Sequence, residues 1–364
     1  MNRSALGLTI AFGLVLVGCK GEARKAPGVG AGSGSGSSVA APVEPPPDPR
    51  LASLPGELWF VEDEPAHTLV RVAAGKRTVI AATDGPLFPS GAKLPDGRLV
   101  AIRSRGDGSP ESEVLVLVAA DGTTKAVGQS APQVRDPVVD TGGAWIIAAF
   151  QLEGRSDLHR VDIATGELKR LTDNKEGNFR PVRIDAQSIA FVSSRDGDSE
   201  LYRMPVAGGA PQRLTAFHKD DWDPVPSPDG KTIVFTSDRE GPPRLCLITA
   251  DGTGFRRLTS LGVTDSLREI EESSAQWSPD GAFIAYLRRE KGRAELTIKK
   301  PTGGAVMMTP KGASDAEPVW SPDGRWLAVV RTIGRESQLV AISFDDNAAP
   351  IVISRGAAQL PRWF

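Results

Sequence analysis

The sequence predicts an all-β fold: a β-propeller of seven four-stranded blades in which the C-terminal strand closes the first blade. Three observations carry this reading: a turn motif recurring with a period in the forties, several short apolar runs per period, and a partial unit at each end of the repeat region.

The turn motif is clearest at Trp277-Ser278-Pro279-Asp280-Gly281, Trp320-Ser321-Pro322-Asp323-Gly324 and Pro226-Ser227-Pro228-Asp229-Gly230, with a shorter copy at Leu94-Pro95-Asp96-Gly97. Proline and Asp-Gly shape a tight turn, the glycine supplying the positive φ that other residues resist. An apolar run follows each turn: Phe283–Tyr286, Trp326–Val329, Thr232–Phe235 and Leu99–Ile102. These runs are continuous, as expected of strands covered on both faces by neighbouring blades. A charged turn, a third strand such as Glu200–Arg203 and a closing Arg-Leu-Thr complete the unit; the triplet stands at 170–172, 213–215 and 257–259. Weaker copies precede Trp145–Ala148 and Ile189–Val192.

Six units open at about residues 86, 131, 178, 221, 272 and 315. Residues 56–82 supply only later strands, Glu57–Val61, Leu69–Val72 and Thr78–Ile80. Leu360-Pro361-Arg362-Trp363-Phe364 matches the opening strand at Pro318–Trp320, so the two ends make a seventh, composite blade. Miscounting a weak copy would give six or eight. The propeller is placed at 55–364.

Ahead of it, Arg3 precedes an apolar run from Leu6 to Val17, too short for a permanent membrane helix and suited to a secretory signal. The run ends Leu16-Val17-Gly18-Cys19, which resembles the lipobox of bacterial lipoproteins, with small residues before a cysteine that becomes the acylated N-terminus. The resemblance implies a signal peptide at 1–19, lipidation of Cys19 and a membrane anchor. Lys20 follows, without the Asp that marks inner-membrane retention, so the expected location is the outer membrane, facing the periplasm. Inner-membrane placement and surface exposure stay open. Residues 20–54 lack hydrophobic periodicity; a Gly/Ser run at 30–38 and Pro45-Pro46-Pro47 read as a tether.

Composition narrows the function. Charged residues form 24 % of the chain and the net charge is −2, which gives no footprint for nucleic acid. With two cysteines, one of them in the signal, no internal disulfide forms and no CxxC holds zinc; Cys246, within Leu245-Cys246-Leu247-Ile248, reads as a buried, inert thiol. His67, His159 and His218 fall in different units without ligand spacing, and no GxSxG elbow, P-loop or dinucleotide fingerprint occurs. No cofactor and no metal are expected.

The unit Pro-x-Trp-Ser-Pro-Asp-Gly…Ile-Ala-Phe…Leu-Tyr…Arg-Leu-Thr resembles the WD-like propeller repeat of the TolB family, and also that of some prolyl-oligopeptidase-like enzymes. The resemblance covers residues 55–364. It implies a non-catalytic scaffold that binds envelope proteins as a monomer; an anchor and tether here replace the α/β domain that precedes the propeller in TolB. A polysaccharide lyase or hydrolase acting at the channel mouth is one alternative. A glycan or small-ligand sensor is another, although five of the seven tryptophans sit at repeat positions and read as core.

Candidate contact residues come from two sources. Charged turns after each second strand present Arg105, Arg195, Arg239 and Arg289, and acidic residues stand before prolines at Asp136, Asp223 and Glu317. Both groups are expected on one face of the disc, either as structural ion pairs or as a docking surface. Departures from the repeat supply the rest. Leu261–Ser273 reads as an insertion carrying Arg268 and Glu269, with Asp265 as a helix cap, and Phe217–Asp223 brings Asp221 and Trp222 to the channel mouth. Calcium at that acidic segment is the minor reading.

Overall fold

The computed structural model describes residues 48–63, 67–80, 85–105, 109, 112–259, 270–344 and 348–364. Seven four-stranded antiparallel sheets form the blades of a propeller. The innermost strands are Ala358–Trp363 in blade 1, then Leu87–Lys93, Gln133–Val139, Asn178–Arg183, Asp221–Pro226, Glu271–Trp277 and Ala313–Trp320 in blades 2 to 7.

Blade 1 is composite. Ala358–Trp363 pairs with Glu57–Glu62, setting Trp363 opposite Leu58, and Thr68–Ala73 and Lys76–Ile80 complete the sheet. Glu57 and Phe364 exchange both backbone hydrogen bonds, at 2.7 and 2.9 Å. Gly56 (φ 67°) makes this possible: a Cβ there would fall on the Phe364 carbonyl oxygen.

The turn motif works by hydrogen bonding. In blade 6 the Ser278 hydroxyl donates to Asp280 at 2.5 Å and accepts from Phe283 N at 2.9 Å, while Gly281 N closes on Ser278 O at 2.9 Å. Ser227/Asp229 and Ser321/Asp323 repeat the arrangement. The following strands are buried on both faces, as at Ile146–Phe150 and Ile233–Phe235. A separate hydrophobic cluster fills each junction between neighbouring blades; Phe235, Cys246, Leu201 and Ala190, for example, join blades 4 and 5. Each buried Leu or Phe contributes roughly 1.5–3 kcal/mol, and no blade buries such residues alone.

Two boundaries move from their sequence-based places. Residues 48–54 belong to the propeller: Pro49–Ser53 forms a 3-10 helix that puts Leu51 and Leu54 into the cluster between blades 7 and 1. Two leucines at that spacing carry too little periodicity to stand out from a tether. Residues 271–273 lie in the innermost strand of blade 6, with Ile270 and Glu272 buried, so they are not part of an insertion. Arg268, Glu269 and Asp265 lie outside the described residues, as do 1–47.

Candidate functional site

The charges that recur in the repeat mostly serve the blade. The Arg-Leu-Thr triplet clamps a carboxylate that begins the third strand: Arg170 and Thr172 both donate to Asp157, at 2.5 and 2.9 Å, and Leu158 N donates to Thr172 Oγ1 at 2.9 Å. Arg213, Thr215 and Glu200 repeat the clamp in blade 4. The triplet's leucine is buried in two copies, as Leu214 and Leu258.

The turn arginines are likewise engaged. Arg195 donates to Asn178 Oδ1 at 3.2 Å and lies over Tyr202, 4.7 Å from the ring centroid. Arg239 pairs with Asp221 at 2.7 Å and packs over Phe255 at 4.1 Å and Phe217 at 4.8 Å. Asp221 is fully buried, so it cannot touch a partner as the sequence reading had it; it holds Arg239 in place. Burial pushes the Asp221 carboxyl up, against the pull of Ser237 and Arg239. Trp222 is half-buried against the blade 4–5 cluster. Arg105 and Arg289 are exposed, Arg289 standing opposite Glu271 in the strand register.

At the junction of blades 4 and 5 this leaves a rigid patch. Phe217 stacks on His218 (centroids 4.5 Å apart), Arg239 lies over Phe217 and Phe255, and Phe255 keeps 43 % of its surface exposed. Phe255 belongs to no motif, so nothing in the sequence marks it.

The acidic residues before prolines are not at the rim. Asp136, Asp223 and Glu317 occupy β-bulges midway along innermost strands, each at φ 51–52°, with Arg180 (φ 47°) and Leu360 (φ 53°) equivalent in blades 4 and 1. The proline after each forfeits no ladder bond there, since the bulge already interrupts pairing. Arg180 of blade 4 meets Asp223 of blade 5 at 3.0 Å. Arg362 of blade 1 feels the charges of both Glu317 of blade 7 and Asp136 of blade 3, which only an inward orientation allows. The cluster therefore lines the axial channel. Burial raises the carboxyls of Asp223 and Glu317 and lowers the Arg362 guanidinium. Arg362 was legible by alignment of the repeats: Val138, Val182, Val225 and Val319 hold its place in other blades.

The histidines are dispersed: His67 pairs with Asp63, and buried His159 bonds the Asp157 carbonyl. Among the described residues, no group of three or more His, Cys, Asp or Glu is arranged to hold a metal ion. Burial pushes the Cys246 thiol up to about 12, which keeps it protonated.

One pH dependence follows from blade 1. Glu57 accepts from Arg71 at 2.6 Å and Lys93 at 2.9 Å, and these, Arg71 foremost, hold its carboxyl at about 2. A depressed carboxyl stabilises the fold fully above its unfolded value near 4.5, and that contribution is lost as pH falls toward 2. Thermal unfolding of Glu57→Gln should show a deficit at pH 7 that shrinks to nothing near pH 2. A deficit independent of pH would refute the assignment.

Comparison with known proteins agrees with the propeller fold. A family model described as the TolB beta propeller domain matches residues 178–364. An uncharacterized protein of Agrobacterium fabrum is 29 % identical over 204 residues, 53 % of this chain and 67 % of its own length. The Tol-Pal system protein TolB of Francisella tularensis is 27 % identical over 221 residues, 58 % of this chain and 48 % of that protein, so this match spans about half the length of the Tol-Pal protein. Oligogalacturonate lyase from Vibrio parahaemolyticus superposes with a TM-score of 0.59 at 16 % identity, covering 82 % of this chain and 86 % of the lyase; at that identity the likeness is one of fold.

Proposed function

The chain belongs to the family of TolB beta propeller domains, and from that premise we propose that it is a non-catalytic scaffold that docks an envelope protein. In this reading residues 1–19 are a lipoprotein signal, Cys19 carries the lipid and the monomeric propeller faces the periplasm from the outer membrane. The Tol-Pal relative supports the class of partner. The observation that carries the proposal is the patch between blades 4 and 5. An arginine stacked on aromatic rings and fixed by a buried carboxylate loses little side-chain entropy on contact, and arginine and aromatics dominate binding hot spots. Arg105 and Arg289, exposed on blades 2 and 6, are further candidates for contact.

The test is photo-crosslinking in cells with a benzophenone amino acid at position 255, compared with position 306, a more exposed site on the outer strand of blade 6. The expected result is adducts to one or two envelope proteins from position 255 and none from 306, together with release of Cys19→Ala from the membrane fraction. Absence of any reproducible adduct from position 255 would overturn the scaffold reading.

A further inference from the structure

We propose that the channel end formed by blades 1 to 4 is a binding site for a small organic carboxylate with an apolar body. The observation is a localised departure from the repeat. Where the innermost strand ends, blades 6, 7 and 1 carry Trp277, Trp320 and Trp363, opposite Ile284, Leu327 and Leu58. The indoles of Trp277 and Trp320 donate to the backbone of the preceding blade, at Val225 O and Gln276 O, and that of Trp363 to Pro55 O ahead of its own blade's second strand, at 2.6–3.2 Å. At the same register position blade 2 has Lys93, blade 3 has Val139, blade 4 has Arg183 and blade 5 has Pro226, so the two cations occur only in the stretch without tryptophan. Replacing indoles with a small residue flanked by two cations leaves a cavity of about 330 Å³, at the small end of the range for ligand sites, roughly 300–1,000 Å³.

The cavity's chemistry selects the ligand. Its walls include Ala92, Val138, Val139 and the Phe364 ring, its cations are Lys93 and Arg183, and no carboxylate side chain lines it. Arg183 also bonds the preceding blade, with Nη1 donating to Val139 O at 3.1 Å, which fixes the guanidinium while its other N–H groups stay available. Lys93 shares a single carboxylate, Glu57, with Arg71. Glycine at 91 brings the wall close to Arg362, whose side chain lies 3.9 Å from where a Cβ would stand. Around that arginine, Asp136 and Glu317 supply the opposing charge at the bulge level. Arg183 also borders a second depression containing Asp185 and Asp229, but both carboxylates accept from their own turns. A guanidinium fork and an ammonium over apolar walls fit a carboxylate head and a hydrocarbon body.

Ligand-observed saturation-transfer NMR on the propeller-containing protein tests this with phenylacetate and hexanoate, each paired with its neutral amide. The acids should receive transfer and the amides should not. Arg183→Gln should weaken acid binding at least about tenfold, since a charge-assisted bond is lost. Val139→Trp, which restores the repeat residue and fills the cavity, should abolish it. Equal transfer to acids and amides, no transfer to either, or acid binding undiminished in Arg183→Gln would each overturn the proposal; the last variant keeps the test decisive if Val139→Trp fails to fold. The outcome is independent of the docking patch between blades 4 and 5.

Discussion

Replacing Trp363 with alanine is expected to destabilise the propeller by about 3–5 kcal/mol, the range for truncating a buried large aromatic. Trp363 is 8 % exposed and packs with Leu54, Leu58 and Phe60 in the cluster between blades 7 and 1. Its indole N–H donates to Pro55 O at 2.6 Å, joining segments at opposite ends of the propeller. The loss falls on the one blade whose strands come from both ends of the propeller. Urea unfolding followed by tryptophan fluorescence and circular dichroism would measure it, with Trp222→Ala, half-buried elsewhere, as a milder comparison. A loss below about 1 kcal/mol would mean that the cluster collapses onto the space, or that closure contributes little.

The second large effect concerns a buried ion pair. Asp315 is 1 % exposed and Arg331 3 %; they meet through two parallel bonds of 2.7 and 2.8 Å, and Thr309 Oγ1 donates to the same carboxylate at 2.6 Å. Either single replacement by alanine strands a buried charge and should cost about 3–5 kcal/mol. Arg331→Met combined with Asp315→Val strands neither. The double variant should therefore be about 2 kcal/mol or more better than the sum of Arg331→Met and Asp315→Val measured singly. Additive losses in that cycle would show that packing, not charge, sets the cost at this position.

Much of the architecture was legible because the repeat encodes contacts within a few residues. Ser278, Asp280 and Phe283 close their turn over five positions, and every clear copy does the same. The composite blade was legible too, since Pro361 and Trp363 reproduce the spacing of Pro318 and Trp320. The candidate sites were less so. Arg195 and Arg239 were visible as charged turns, but their aromatic partners Tyr202 and Phe255 come from other segments of the blade. Asp136, Asp223 and Glu317 were visible beside prolines, yet their orientation was not. A bulge breaks the two-residue alternation that sequence reasoning relies on, and it turned these carboxylates to the axis instead of the rim.

The sequence by itself determined the blade and its composite closure, because turn chemistry and strand apolarity act locally and recur; the structure settled the number of blades at seven. Only the tertiary structure decided which departures from the repeat meet. Lys93, Val139 and Arg183 lie in three different blades and are unremarkable in their own segments. Ring closure brings their strand ends to one channel wall, and that proximity is a property of the circle, not of any one repeat.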